Sequence, residues 1–209
     1  MPTSSRASVA ILAAVSLLIL SKAVPARDSA AAYFLVAAPS ITDGSFRETV
    51  VLIVQQTPTV TRGLIINRPL DTSLARLSPG DGAFDHAGQS VYFGGPVALP
   101  HLSFVFRSKK RREGSLHVMD DVYLGESASL LKDLLRHERA ADSVRVYAGH
   151  AGWGPGQLQD EIERGSWFIL PATAAYVFHG KPASIWSELV KTASLRRVRA
   201  PVLSFAALR

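Results

Sequence analysis

Apolar and polar runs alternate along residues 33–193 in a way that predicts short strands and helices interleaved in one domain. The strand candidates are β-branched, aromatic or aliphatic runs, each closed by a glycine, a proline or a polar turn. They lie at 33–38, 49–55, 63–67, 91–93, 102–107, 116–118, 143–148 and 167–170. The runs 102–107 and 116–118 are predicted to pair as a hairpin, and the apolar stretch 201–205 is a candidate edge strand.

Helical patterns fill the spaces between these strands. The clearest helix candidate is 126–137, whose four leucines suit one face of a helix. Further candidates lie at 71–77, 155–164, 172–178 and 182–192. Strands and helices follow no sustained strand–helix–strand rhythm, so the predicted fold class is α+β rather than a doubly wound sheet.

The first 26 residues differ from the rest of the chain. Arg6 precedes an uncharged apolar run, Ala7 to Leu20, which is followed by small residues. This order is typical of a signal peptide, and the run is shorter than the roughly 20 residues of a membrane span. Residues 1–26 are therefore predicted to be a signal peptide or hydrophobic targeting segment, with residues 27–32 as a linker. A membrane anchor, an organelle-targeting peptide and a buried N-terminal helix are the alternatives.

Charge and cysteine content narrow the possible functions. The formal net charge of +6 comes from a loop and a basic C-terminal tail, predicted at 194–209, rather than from the whole domain. The loop contributes Arg107, Lys109, Lys110, Arg111 and Arg112. Such a run is more often a solvated loop tip than a binding patch, so nucleic acid is a possible but not a favoured partner. The chain has no cysteine, which excludes disulfides, thiolate nucleophiles and cysteine-ligated metals.

A search for catalytic signatures returns no match. The sequence contains no nucleophile elbow, P-loop, H-E-x-x-H or EF-hand spacing, and its six histidines are scattered. The adjacent acids Asp120-Asp121 and Asp160-Glu161 point to different faces and do not form an acid/base couple. No catalytic residue, metal ligand or cofactor is predicted.

A glycine-rich stretch at 147–157 is predicted to be a loop between a strand and a helix. In one interpretation it binds an anion or nucleotide at the helix N-terminus, with Trp153 as a stacking platform. In the other it is a tight packed turn, in which Trp153 fills the core and Pro155 begins the helix. The second interpretation is favoured, because Pro155 has no N–H and no P-loop lysine follows.

Two further loops, at 67–69 and 93–96, also follow predicted strands. If the three loops converge, they line one cleft in which Arg68 is the strong anion anchor. The candidate ligand-binding residues are Asn67, Arg68, Gly94, Gly95, His150, Trp153, Gly154 and Gln157.

Four motifs in order make the chain resemble the YqgE/AlgH family over roughly residues 33–190. They are D-x-x-F-x-x-T-V at 43–50, G-L-I-I-N-R-P-L at 63–70, V-Y-F-G-G-P-V at 91–97, and the glycine-rich stretch 148–158. The chain departs from the family pattern at His150, where an aromatic residue is common, and in its hydrophobic leader. Most members look like soluble cytosolic proteins, so a cytoplasmic location is the alternative to an exported or membrane-anchored, periplasmic one.

The resemblance implies an α+β fold with a curved, partly barrel-like mixed β-sheet flanked by helices, here preceded by an N-terminal hydrophobic helix. It implies no catalytic residue, since no activity is established for the family; a transcriptional regulator role has been proposed for it. The function predicted first is a non-enzymatic binding or regulatory protein for a small anionic ligand or a protein partner. The alternatives are a regulator that binds DNA directly or through a partner, and an enzyme acting on a phosphoryl or acyl substrate with His150 as base. Membrane contact is predicted only through the N-terminal segment.

Overall fold

The computed structural model describes residues 32–78, 82, 84, 89–136 and 140–199. The predicted targeting segment, its hydrophobic helix, all of the linker except Ala32, and the candidate strand 201–205 lie outside the described residues. No helix in the described ranges is long and apolar enough to cross a membrane.

Ten strands and six helices make up the described part of the chain. The strands are β1 (Tyr33–Ala37), β2 (Val50–Gln56), β3 (Thr61–Ile65), β4 (Pro69–Ser73), β5 (Ser90–Phe93), β6 (Val97–Arg107), β7 (Ser115–Met119), β8 (Val122–Gly125), β9 (Val144–Trp153) and β10 (Trp167–Pro171). The helices are α1 (Leu74–Leu77), α2 (Ala128–Leu135), α3 (Ala140–Ser143), α4 (Gln157–Glu163), α5 (Ala174–Val177) and α6 (Pro182–Arg199).

The strands form one curved, half-barrel sheet in the order β10-β1-β2-β3-β9-β6-β8-β7. Strand β4 pairs with β5, and β5 pairs in parallel with β9, whereas the other pairings are antiparallel. Strand β9 therefore contacts three strands and connects the two halves of the sheet. The α+β class is confirmed, and the helices pack on the faces of the sheet.

Strand β1 is buried on both faces because every position in it is apolar. In β1, Phe34 and Val36 face one core cluster while Leu35 and Ala37 face another, as the two-residue period of a strand requires. Helix α6 covers the first cluster through its apolar positions, and α4 covers the second. Helix α2 covers a third cluster on β6 and β9.

Two local predictions are wrong. The helix predicted at 71–77 starts only at Leu74, because residues 69–73 form β4 and the Ser73 side chain accepts a hydrogen bond from the Arg76 N–H as its N-cap. The hairpin predicted between 102–107 and 116–118 does not form, because β8 lies between β6 and β7 and pairs with both. Strand β8 is only four residues long, and it follows a tight turn in which Asp120 has a φ of 43°.

The ends of two elements also differ from their prediction. Strand β9 continues to Trp153, so most of the glycine-rich stretch predicted as a loop is sheet, paired with β3 through residues 151–153. The glycines of this stretch have no preference for a strand. Their place in the sheet comes from hydrogen bonding to the neighbouring strand. Helix α6 continues through Arg199 and thus into the predicted basic tail.

Candidate functional site

The three predicted loops meet in the fold, through backbone hydrogen bonds. The Phe93 N–H donates to the Arg68 carbonyl at 2.8 Å, and the Gly94 N–H donates to the Ala148 carbonyl at 2.8 Å. The Gly94 carbonyl in turn accepts from the Ile65 N–H at 2.9 Å. The segment after β5 therefore crosses directly over β9 and the end of β3.

The crossing leaves no room for a ligand at its glycines. A Cβ on Gly94 would lie 2.2 Å from the Gly149 carbonyl oxygen, and one on Gly95 would lie 2.2 Å from the Ala151 nitrogen. Gly95 also has a φ of 148°, which side chains rarely adopt. Neighbouring backbone therefore fills the space that a side chain would take at these two positions. Gly94 and Gly95 have a packing role.

Asn67 and Arg68 use their polar atoms inside the protein. The buried Asn67 side chain donates to the Glu48 carbonyl at 2.9 Å and accepts from the Val50 N–H at 2.8 Å. The Arg68 guanidinium donates to three carbonyls within residues 44–47, at 2.6 to 2.9 Å. Both side chains hold the turn that leads into β2, and they form these bonds with main-chain atoms instead of an anion.

Trp153 is 4% exposed and belongs to a buried aromatic group. Its Nε1–H donates to Glu161 Oε2 at 3.0 Å, and the Nε1–H of Trp167 donates to the same oxygen at 2.8 Å. The other oxygen of Glu161 accepts from Gln157 Nε2 at 3.0 Å, and Phe46 packs against both indole rings. This is the geometry of the packed-turn interpretation, with Gly154 donating its N–H to Gln157 Oε1 at 3.2 Å.

His150 is half-buried and lies on a face of the sheet that carries polar side chains. It lies opposite Val97 of β6, and Gly152, two residues further along β9, lies opposite Arg62 of β3. Residues opposite one another in antiparallel strands share a face of the sheet. We call this surface the His150 patch: Arg62, Val97, His101, Glu126, His150 and Gly152.

Glu126 joins the charged groups of the His150 patch. Its Oε1 lies 2.5 Å from Nη1 of Arg62 and 3.5 Å from Nε2 of His101. Burial tends to raise the pKa of Glu126, but the hydrogen bond and charge of Arg62, with a contribution from His101, outweigh it and lower that pKa. The carboxylate is thus ionised at neutral pH, and it compensates the charge of one guanidinium.

His150 is held in its neutral form. Burial lowers its pKa first, the positive charges of Arg62 and His101 lower it further, and Glu126 opposes them. The buried atoms Nδ1 of His150 and Nε of Arg62 have no hydrogen-bond partner among the described residues. The patch therefore contains polar atoms that the surrounding described residues do not satisfy.

Gly152 differs from the strand glycines Gly63 and Gly149 because packing does not require it. A Cβ there would meet Cγ2 of Val97 at 3.7 Å and His150 Cδ2 and Nε2 at 3.8 Å, which is ordinary contact. At the strand glycines Gly63 and Gly149 the corresponding distances are 2.5 and 2.4 Å. The absent side chain leaves bare backbone between Arg62, Val97 and His150.

We expect His150→Gln to change how stability depends on pH. Because the folded-state pKa of His150 lies below its ordinary value of 6.5, the unfolded chain binds the proton more readily, and stability rises with pH. The wild type therefore loses stability relative to the variant as the pH falls through 6.5 toward the folded pKa. Urea unfolding of both proteins between pH 5 and 8 measures this difference, and a difference that stays constant with pH would contradict the assignment.

The sequence prediction omitted Arg62, His101, Glu126 and Gly152. These residues come from β3, β6, the end of β8 and β9, and no local motif connects them. The available signal was Gly152 itself, since a strand glycine can mark the close approach of another group. Within the described ranges, no three His, Asp or Glu side chains are placed to hold a metal ion.

Comparison with known proteins identifies relatives of this chain. It is similar to a UPF0301 protein of Stenotrophomonas maltophilia (strain K279a), 38% identical over 157 residues, covering 72% of this chain and 81% of the relative. It is also similar to a UPF0301 protein of Chlorobium luteolum, 31% identical over 164 residues, covering 78% and 85%.

The fold has a solved counterpart as well. The solution structure of the AlgH protein from Pseudomonas aeruginosa matches with a TM-score of 0.65 at 24% identity, covering 83% of this chain and 94% of that protein. The model of the DUF179 family, described as AlgH-like, matches residues 34–196. Because this match spans most of the described domain, the chain belongs to the AlgH-like family.

Proposed function

We propose that the protein is a non-enzymatic binding protein that takes a small anionic ligand at the His150 patch. The observation that carries the proposal is the convergence of Arg62, His101 and His150 from three strands around a single carboxylate, Glu126. With His150 neutral and the Glu126 carboxylate paired with Arg62, the patch offers an arriving anion N–H donors rather than a net positive charge.

The arrangement of donors supports this assignment. The Nε2 atom of His150 and the Arg62 side chain flank the bare backbone of Gly152. A neutral imidazole whose Nε2 carries the hydrogen donates toward this space, as does a guanidinium N–H. The Arg62 side chain is 16% exposed, so its charge is screened less than that of a surface arginine.

The remaining predicted site residues support the patch from within. Gly94 and Gly95 fix the chain that crosses β9, and Asn67 with Arg68 fix the turn before β2. Trp153 packs on the opposite side of β9 from His150, in the core cluster that includes Ala151. On this proposal, these residues position the strand that carries the ligand-binding face.

The two alternative functions have less support in the geometry. The groups that act on His150 are Arg62, His101 and Glu126, and none of them carries the hydroxyl that a histidine base commonly activates in acyl transfer. In the basic loop, Arg107 pairs with Asp121 at 2.8 Å, and Arg112 pairs with Asp133. Those carboxylates weaken the loop as a phosphate-binding surface. Export remains a prediction that depends on residues 1–26.

Titration with inorganic phosphate and with acetate, followed by two-dimensional NMR, tests the proposal. We expect both anions to shift the amide signals of residues 150–152 in the wild type, because the bound anion accepts hydrogen bonds from the donors that flank Gly152. Arg62→Gln should weaken binding about ten-fold, the equivalent of about 1.4 kcal/mol.

The matched control is Arg107→Gln, which removes an arginine from an ion pair outside the patch. This control should leave the titrations unchanged. Equal anion shifts in the wild type and in Arg62→Gln would refute the proposed site. Shifts centred on the basic loop instead would favour the alternative in which that loop binds phosphate.

A further inference from the structure

We propose that the ligand of the His150 patch is a carboxylate that carries an apolar chain; this inference rests on the proposed function and specifies its ligand. The juxtaposition that carries it is an exposed apolar segment beside the Arg62 and His150 donors. The first half of β6, residues 97–101, is exposed except for its backbone contacts to β9. Val97 is 43% exposed and Leu99 is 49% exposed.

A bulge in β6 presents these side chains. Val97 lies opposite His150 and Leu102 lies opposite Ala148, so six residues of β6 span the length of three residues of β9. Within the bulge, Ala98 has a φ of 52°, a left-handed conformation that alanine adopts at an energetic cost. Strained residues of this kind are retained where the surrounding structure imposes them, often at ligand sites.

The bulge places apolar atoms directly over the glycines of β9. Cγ2 of Val97 lies 3.7 Å from the position a Cβ of Gly152 would take, and Cδ2 of Leu99 lies 3.2 Å from the equivalent position at Gly149. Single exposed apolar residues on a protein surface need no explanation. Here Val97 lies opposite His150 and Leu99 lies over Gly149, so exposed apolar atoms border both the patch and backbone without a side chain.

The charge of the His150 patch fits a carboxylate better than a phosphate. Glu126 already neutralises part of the Arg62 charge and would repel a doubly charged ligand. A carboxylate has two oxygens, which the flanking donors of Arg62 and His150 can each meet. A phosphate would in addition place strongly hydrated oxygens against Val97 and Leu99, which is unfavourable.

Calorimetric titrations with acetate, hexanoate, 1-hexanol and inorganic phosphate at constant ionic strength and pH 6.5 test the inference. In the wild type we expect hexanoate to bind at least ten-fold more tightly than acetate, since burial of each methylene favours binding. Hexanol should bind weakly, because it lacks the charge. Val97→Ser and Leu99→Ser should each reduce the preference for hexanoate while leaving acetate binding unchanged.

Leu116→Ser is the matched control, because Leu116 on β7 is 44% exposed and lies outside the patch. Gly152→Ala should weaken the binding of both carboxylates while the protein stays folded, since the space accepts a Cβ at ordinary distance. Tighter binding of phosphate than of hexanoate, with no effect of the serine variants, would overturn this inference and leave the proposed function standing. Hexanol binding as tight as hexanoate would also overturn it, and the absence of binding by every anion would remove the proposed function as well.

Discussion

Gly95→Ala is expected to lower the free energy of unfolding by about 4 kcal/mol or more. The added Cβ would lie 2.2 Å from both the Ala151 nitrogen and the His150 carbonyl carbon, and 2.4 Å from the His150 oxygen. Those atoms belong to the backbone of β9, which is held by strands on both sides and cannot move by more than a few tenths of an ångström. The positive φ of Gly95 adds strain to the steric conflict.

Gly154→Ala provides the control within the same region. Nothing lies within 4 Å of the Cβ position of Gly154, and its φ is not in the left-handed range. Its free energy of unfolding should change by no more than about 0.5 kcal/mol. Urea unfolding compares the three proteins, and a Gly95→Ala variant as stable as Gly154→Ala would show that the segment after β5 does not cross β9 as described.

Glu161→Leu is expected to lower the free energy of unfolding by about 3 kcal/mol. The Glu161 carboxylate accepts hydrogen bonds from Trp153, Trp167 and Gln157, and the two indole rings are nearly buried. Leucine would leave two indole N–H groups without an acceptor, and each buried, unsatisfied donor costs about 1–3 kcal/mol. The leucine side chain offsets part of this loss through apolar contact. The total destabilisation is therefore smaller than the summed cost of the two unsatisfied indole N–H groups.

Glu163→Leu on the same helix is the matched control. Glu163 is exposed, and its carboxylate accepts from Gln159, one helical turn away, a contact worth a few tenths of a kcal/mol. NMR adds a second measurement, because the indole N–H signals of Trp153 and Trp167 should move in Glu161→Leu. The signal of Trp186, whose N–H donates to the Ala37 carbonyl, should stay in place. Equal stabilities of the two variants would show that the shared carboxylate contributes little.

The sequence predicts most of the strands because a buried strand is apolar at nearly every position. Burial on both faces covers all of β1, residues 50–54 of β2 and residues 63–65 of β3, so these segments appear as unbroken apolar runs. The extent of β9 could not be predicted in the same way, since Gly149, Gly152 and His150 carry no strand preference. Their conformation comes from pairing with β3 and β6, which are distant in the chain.

The candidate site shows the same division. The glycine-rich stretch around His150 predicts this residue as a ligand-binding residue. Arg62, His101 and Glu126 come close to it only through the pairing of the strands. Arg68 illustrates the opposite problem. An arginine after a strand has the donors for an anion and equally for backbone carbonyls, and the sequence contains nothing that separates the two uses. The structure shows carbonyls.

The position of β9 between the two halves of the sheet links occupancy of the His150 patch to cooperative unfolding. The strand that bears His150 and Gly152 is the one that β3, β5 and β6 all pair with, so its detachment would separate β10-β1-β2-β3 from β6-β8-β7. We therefore expect detachment of β9 to coincide with global unfolding. A ligand at one hundred times its dissociation constant would add about 2.7 kcal/mol to the stability of the entire domain.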